Sequence, residues 1–101
     1  MILYNVTIKV THAIAHDWLD WLQKEHIPDI INTGCFSQAT ILHLLETDES
    51  EGPTYAIQYF TESKNKYELY LEKFAGEMRE KSFKKWGDQF IAFRSVMQIV
   101  K

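Results

Sequence analysis

The pattern of apolar and polar positions divides the chain into four strand-like runs and two helix-like runs. Strand-like runs alternate between apolar and polar side chains and are rich in β-branched and aromatic residues. Helix-like runs carry apolar residues at intervals of three and four. The predicted strands are residues 2–10, 36–46, 54–61 and 90–100, and the predicted helices are residues 14–26 and 64–86.

Local signals mark the ends of these elements. Ile27 precedes Pro28 and is therefore biased away from helix, which predicts a break after the first helix. Ser63 is an expected N-cap for the second helix and Gly87 an expected stop, while Gly76 weakens the middle and predicts a division there.

An order of strand, helix, strand, strand, helix, strand predicts a ferredoxin-like βαββαβ fold of the α+β class in a single domain, residues 1–101. The right-handed crossover rule places the first and third strands at the centre of a four-stranded antiparallel sheet, with the fourth strand beside the first. Both helices then cover one face of the sheet.

The last strand is apolar on both of its faces, which predicts a second covering layer. The chain has no residues left for that layer, so we expect a homodimer in which two sheets pack face to face, as a dimeric α/β barrel. Alternation assigns Ile91, Phe93 and Met97 to the helix side. The predicted dimer interface on the opposite face includes Asn5, Thr7, Arg94 and Val96.

Composition narrows the classes of partner. The formal net charge of −3 does not favour binding to nucleic-acid phosphates. No apolar run has the roughly 20 residues of a membrane span. The single cysteine, Cys35, cannot form an internal disulfide, and no signal peptide is visible. These features predict a cytoplasmic protein.

His26 is the leading candidate for chemistry. It ends the first helix, where the helix dipole favours the charged imidazole and burial opposes it. This opposition could poise the ring as an acid or base near neutral pH, or the ring could simply cap loose carbonyl groups.

An aromatic set could line a pocket for a small hydrophobic ligand, although stripes at helical spacing also build ordinary cores. The predicted ligand-binding residues are Tyr4, Trp18, Trp21, His26, Tyr59 and Trp86.

A polar cluster of Asn5, Gln58 and Arg94 could hold a carboxylate on the sheet face opposite the helices, or could join the two halves of a dimer interface. His12 and His16 have the spacing of a metal-binding pair but lack a third ligand, so no metal is expected.

Two resemblances rest on specific stretches of the chain. Residues 18–28, followed by Gly34-Cys35-Phe36, resemble a signature of the ethyl tert-butyl ether degradation type of dimeric α/β barrel, and more distantly of proteins similar to antibiotic biosynthesis monooxygenases. The whole chain more closely resembles a small bacterial family of domains of unknown function. The stretches that carry this second resemblance are residues 1–6, 25–28, 33–36, 51–60 and 90–94.

The barrel resemblance implies a superfamily that contains cofactor-free monooxygenases, isomerases and haem degraders. Haem degraders of this type combine an asparagine on the first strand, matched by Asn5, with a histidine on the second helix, which residues 64–86 lack. We therefore expect no cofactor. The expected function is a homodimeric binding or regulatory module for a small hydrophobic or acidic metabolite. The alternative is a cofactor-independent oxygenase or isomerase that uses His26 as acid or base, with Tyr4 or Asn5 orienting the substrate.

Overall fold

A computed structural model describes residues 1–101 of the chain. The predicted order of strands and helices is confirmed, although both predicted helices are subdivided. The elements are β1 (Ile2–Val10), α1 (Ala15–Trp21), a π-helical turn (Leu22–His26), α2 (Ile27–Ile31), β2 (Gln38–His43), β3 (Thr54–Thr61), α3 (Lys64–Lys73), α4 (Ala75–Trp86) and β4 (Phe90–Gln98).

The four strands form one antiparallel sheet in the order β2-β3-β1-β4, which confirms the predicted ferredoxin-like topology. In the central register, Tyr4 of β1 lies opposite Tyr59 of β3 and Val96 of β4. Side chains directly opposite one another share a face of the sheet. The register therefore separates a face that the helices cover from an outer face that they leave open.

The core lies between the helices and the covered face. Trp18 and Leu22 enter it from the first helical segment, and Ile57 and Tyr59 enter it from β3; each is at most 2% exposed. Burying side chains of this size removes a large apolar area from water, which is the dominant favourable term in folding. The free thiol of Cys35 is buried in the same core.

Two of the predicted helix boundaries are confirmed. The hydroxyl of Ser63 accepts a hydrogen bond from the backbone N–H of Lys66 at 3.2 Å, which caps α3. Gly87 ends α4 with a φ of +62°. The second helix divides at Phe74, whose φ and ψ leave the helical range, two residues before the weak point predicted at Gly76.

The break predicted before Pro28 is wrong, because the helix continues through this proline. Ile27 keeps helical dihedral angles, and its N–H bonds to the carbonyl of Leu22, five residues earlier. Proline has no N–H to give and its ring crowds the carbonyl four residues before it. A wider π turn just ahead of Pro28 relieves this crowding without ending the helix.

The face assigned to β4 from the sequence is also wrong. Arg94 lies opposite Val6, and Val96 lies opposite Tyr4, so both belong to the helix side. Phe93 lies opposite Thr7 and so belongs to the outer face. Because β4 is apolar on both faces, alternation alone could not distinguish them, and a shift of one residue exchanges every side chain.

The outer face is open to solvent in the single chain and is more apolar than the sequence indicated. Ile91 and Phe93 are both 68% exposed there, and Leu42 and Met97 are 42% and 43% exposed. Only Lys9 carries a charge on this face. Its members are Leu3, Asn5, Thr7, Lys9, Gln38, Thr40, Leu42, Thr54, Ala56, Gln58, Phe60, Ile91, Phe93, Ser95 and Met97.

None of the helices combines the length and the apolar composition that crossing a membrane would require.

Candidate functional site

A cavity of about 50 Å³ lies between the covered face of the sheet and the helices. Its wall is mainly apolar, with a few polar groups from α4, β4 and the π turn. Five of the six predicted ligand-binding residues line it: Tyr4, Trp18, Trp21, His26 and Tyr59. The sixth, Trp86, lies outside the lining and packs edge-on against Trp21, with ring centroids 5.8 Å apart.

The π turn sets the position of His26. In an α-helix, residues five apart lie about 140° apart around the axis and cannot face each other. The wider turn brings His26 beneath Trp21, where the two rings stack with centroids 4.5 Å apart and an angle of 20° between their planes. This stack holds the imidazole in the wall of the cavity.

The hydrogen bonds of His26 are incomplete. Its Nε2 lies 3.5 Å from the Ser82 hydroxyl of α4, which is a weak contact at best. Its Nδ1 is buried and has no partner. The ring caps no helix carbonyl, in contrast to one of the two roles expected from the sequence. A neighbouring ring shows the same deficit, since the indole N–H of Trp86 is also buried without an acceptor.

Burial lowers the pKa of His26 to about 4; Asp29 opposes this shift, and the positive charges of Lys81 and Arg94 add to it. The imidazole is therefore neutral at pH 7. A neutral ring with one free nitrogen can accept a proton or a hydrogen bond, or donate one from the other tautomer.

This shift predicts a loss of stability in acid. Unfolded His26 binds a proton near pH 6.5 and the folded ring does so only near pH 4, so the free energy of unfolding falls as the pH drops through this window. We expect His26→Gln to remove about 2 kcal/mol of that loss between pH 7 and pH 4.5, measured by urea unfolding. The exposed His16→Gln variant should retain the full loss; if the two variants behave alike, the neutral state of His26 is contradicted.

A cluster of tyrosines packs around Tyr4, and three of its members, Tyr4, Tyr59 and Tyr70, line the cavity. The Tyr4 ring lies 5.5 Å from Tyr67, 5.8 Å from Tyr70 and 6.0 Å from Tyr59, centroid to centroid. Burial, aided by the neighbouring tyrosine hydroxyls, raises the pKa of Tyr59 and Tyr70. These phenols stay protonated at any physiological pH and can act only as neutral hydrogen-bonding groups.

Two arginines in the lining were not predicted as cavity residues. Arg79 of α4 donates a hydrogen bond to the Tyr4 hydroxyl at 3.4 Å, and Arg94 reaches the cavity from β4. Arg94 was recognisable in the sequence as a charged residue within an apolar strand, but its assignment to the wrong face of the sheet obscured its position. Arg79 directly follows the buried Met78 on α4, a position that by itself resembles ordinary surface.

The predicted polar cluster of Asn5, Gln58 and Arg94 does not assemble. Asn5 lies opposite Gln58 on the outer face, where its amide donates to the hydroxyls of Thr7 at 2.9 Å and Ser95 at 3.4 Å. Arg94 lies on the other side of the sheet. Asn5 and Thr7 do belong to the outer face, as expected of the predicted interface residues.

No group of three or more histidine, cysteine, aspartate or glutamate side chains is arranged to hold a metal ion. The ring of His12 bonds instead to the backbone carbonyl of Glu49, with Nε2 and the oxygen 2.7 Å apart. His16, one turn later, is exposed.

Solved structures share this fold across nearly the whole chain. A dimeric ferredoxin-like protein from an uncultured marine organism matches with a TM-score of 0.71 and 12% identity, over 99% of this chain and 95% of that chain. SnoaB, a cofactor-independent oxygenase from Streptomyces nogalater, matches with a TM-score of 0.68 and 7% identity, over 99% and 94%. An ethyl tert-butyl ether degradation family protein from Bacillus halodurans matches with a TM-score of 0.69 and 7% identity, over 98% and 100%.

At identities this low, the TM-scores establish a common fold and nothing further. Among curated proteins, no sequence matches this chain. A family profile, described as "Domain of unknown function (DUF4286)", matches residues 1–100 and confirms the resemblance seen in the sequence. The chain therefore belongs to the DUF4286 family of domains of unknown function.

Proposed function

We propose that this protein is a homodimeric binding module that holds a small hydrophobic or acidic metabolite between its sheet and its helices. One observation carries the proposal. The Nδ1 atom of His26 is buried without a partner in the wall of a cavity. A buried polar atom without a hydrogen bond costs roughly 1–3 kcal/mol, and a ligand that bonds to it would recover this cost.

The size of the cavity limits the ligand. An enclosed apolar cavity of about 150 Å³ holds a benzene molecule, and this cavity has about 50 Å³. Only a few non-hydrogen atoms fit without movement. A longer ligand would extend past Trp21, which is half-buried and stacks on His26 at the wall.

Ligand binding is expected to raise the melting temperature of the protein. A ligand at 100 times its Kd adds about 2.7 kcal/mol to the free energy of unfolding, or roughly 10 °C in a domain of this size. We expect such a rise from at least one compound in a thermal-shift panel of small acids, alcohols and aromatic compounds, with haem and flavin included.

The same panel should leave the melting temperature of His26→Gln unchanged, although the variant folds. His16→Gln serves as the matched control and should keep the response. If no compound raises the melting temperature of the wild-type protein, the binding function is rejected. If His26→Gln fails to fold, the histidine is structural.

The outer face supports the homodimer. It carries exposed Ile91 and Phe93 beside neutral polar groups such as Asn5 and Gln58. Its one charge, Lys9, lies 3.9 Å from Glu51 of the same chain. A second copy could therefore meet this face across a twofold axis with little repulsion between like charges. The marine ferredoxin-like protein, which has the same fold, is described as dimeric.

The alternative is a cofactor-independent oxygenase or isomerase with His26 as acid or base. The neutral imidazole of His26, with one ring nitrogen free of hydrogen bonds, favours this alternative. SnoaB, which shares the fold, is a cofactor-independent oxygenase. No second catalytic partner of His26 stands out beside Ser82, so binding without turnover ranks first. Product analysis by mass spectrometry, with any compound that the thermal panel identifies, distinguishes the two.

The free, buried thiol of Cys35 is compatible with a reducing compartment, and we propose the cytoplasm as the location.

A further inference from the structure

We propose that the metabolite is a small monocarboxylate, whose anionic group lies between Arg79 and Arg94 and whose apolar body enters the aromatic cavity. This inference rests on the proposed binding function and names the chemical class of its ligand.

Arg94 is a cationic group on the covered face of the sheet. It lies opposite Val6 in the register with β1 and contributes to the lining of the cavity. Its charge is close enough to His26 and to Tyr70 to lower the pKa of each. Arg94 and Arg79 are both exposed, so an incoming anion can reach their guanidinium groups beside the apolar lining.

Arg79 approaches the same region from α4. It donates a hydrogen bond to the Tyr4 hydroxyl at 3.4 Å, and its charge also lowers the pKa of Tyr70. Two guanidinium groups from different elements therefore act on one tyrosine. The Tyr4 hydroxyl accepts from Arg79, so its own hydrogen remains available to an anion.

Neither arginine has a carboxylate partner in the protein. The ion pairs of the chain involve lysines and one histidine, and none includes Arg79 or Arg94. Lys81, whose charge also lowers the pKa of His26, is by contrast paired with Asp29 at 3.7 Å and with Glu77 at 3.8 Å. The mouth of the cavity thus carries unbalanced positive charge in a chain whose net charge is −3.

A carboxylate is the anion that suits this arrangement. Guanidinium groups bind carboxylates through paired, charge-assisted hydrogen bonds. Most of the lining beyond the arginines is apolar, including Trp18, Leu22 and Ile57, which suits a short alkyl body better than a sugar acid. The unpartnered Nδ1 of His26 could then bond to a polar substituent on that body.

Calorimetric titration of the full chain with propionate and butyrate, and with the neutral amides propionamide and butyramide, tests the inference. We expect at least one acid to bind, and to bind at least tenfold more tightly than its amide. Arg94→Gln and Arg79→Gln should each raise the Kd of that acid by about tenfold to a hundredfold and leave amide binding unchanged. Lys84→Gln, which removes a cation of α4 that pairs with Glu80 at 3.0 Å, should change neither Kd.

If acid and amide bind equally, or if both arginine variants keep the wild-type Kd for the acid, the inference is overturned and the binding function stands. If neither the acids nor the amides bind, and no compound of the thermal-shift panel raises the melting temperature, the monocarboxylate inference and the binding function are both rejected. Circular dichroism establishes that each variant folds. If Arg94→Gln unfolds, Arg94→Lys replaces it as the test. Lysine keeps the positive charge but lacks the planar guanidinium group, so this variant should weaken acid binding by a smaller factor.

Discussion

Phe93→Glu is expected to convert the proposed dimer into monomers. Phe93 is 68% exposed on the outer face of β4, beside Ile91 and Met97, where a second copy would cover it. In a twofold interface each substitution occurs twice, so two carboxylates would be buried in the interface. Burying unpaired charge costs several kcal/mol, and we expect the dimer Kd to rise by at least a hundredfold, or about 3 kcal/mol.

Phe83→Glu is the matched control, because Phe83 is 64% exposed but lies on α4, away from the outer face. It should leave the dimer intact at micromolar concentration. Light scattering coupled to size-exclusion chromatography measures both variants and the wild-type protein. A wild-type monomer at that concentration would reject the pairing of two sheets. A dimer that survives Phe93→Glu but not Phe83→Glu would place the interface on the helices.

The second large effect concerns the acidic turn between β2 and β3. Gly52 has a φ of +152°, and a Cβ added there would lie 1.7 Å from the carbonyl oxygen of Val10 at the end of β1. That oxygen belongs to the backbone and cannot move aside as a flexible side chain can. We expect Gly52→Ala to lower the free energy of unfolding by roughly 2–4 kcal/mol, and the melting temperature by roughly 10–20 °C.

Gly76→Ala provides the comparison. Gly76 lies within α4, and a Cβ there meets nothing within 4 Å. Alanine also favours helix over glycine by roughly 0.5–1 kcal/mol, so this variant should be as stable as the wild-type protein or slightly more stable. Urea unfolding monitored by tryptophan fluorescence measures both. Equal stability of the two alanine variants would contradict the tight approach of the turn to β1.

Most of the fold could be predicted from local pattern. The bounds of β1 and β3 were predicted correctly, because both central strands alternate cleanly and end at polar or turn-forming residues. Ser63 and Gly87 were sufficient to bound the second helix. The strand β2 is shorter than residues 36–46: Phe36 packs into the core beside Tyr4, and the register with β3 runs from Gln38 to His43.

The candidate site was predicted in part. Aromatic residues on the two central strands and the first helix indicated a cavity wall, and five of the six named residues lie in it. The two arginines of the cavity were missed. Arg94 was placed on the wrong face of β4, which is apolar on both sides, and Arg79 lies on α4, far from β1 in sequence. Residues so distant in sequence meet only through packing.

The sequence by itself determined the order of the elements, the topology of the sheet and the excess of apolar surface, since these follow from periodicity and from the handedness of crossovers. The tertiary structure decided which face of β4 meets the helices, how the chain passes Pro28, and that His26 lies unpartnered under Trp21. Each of these depends on the fit of side chains from separate segments, and local pattern does not encode that fit.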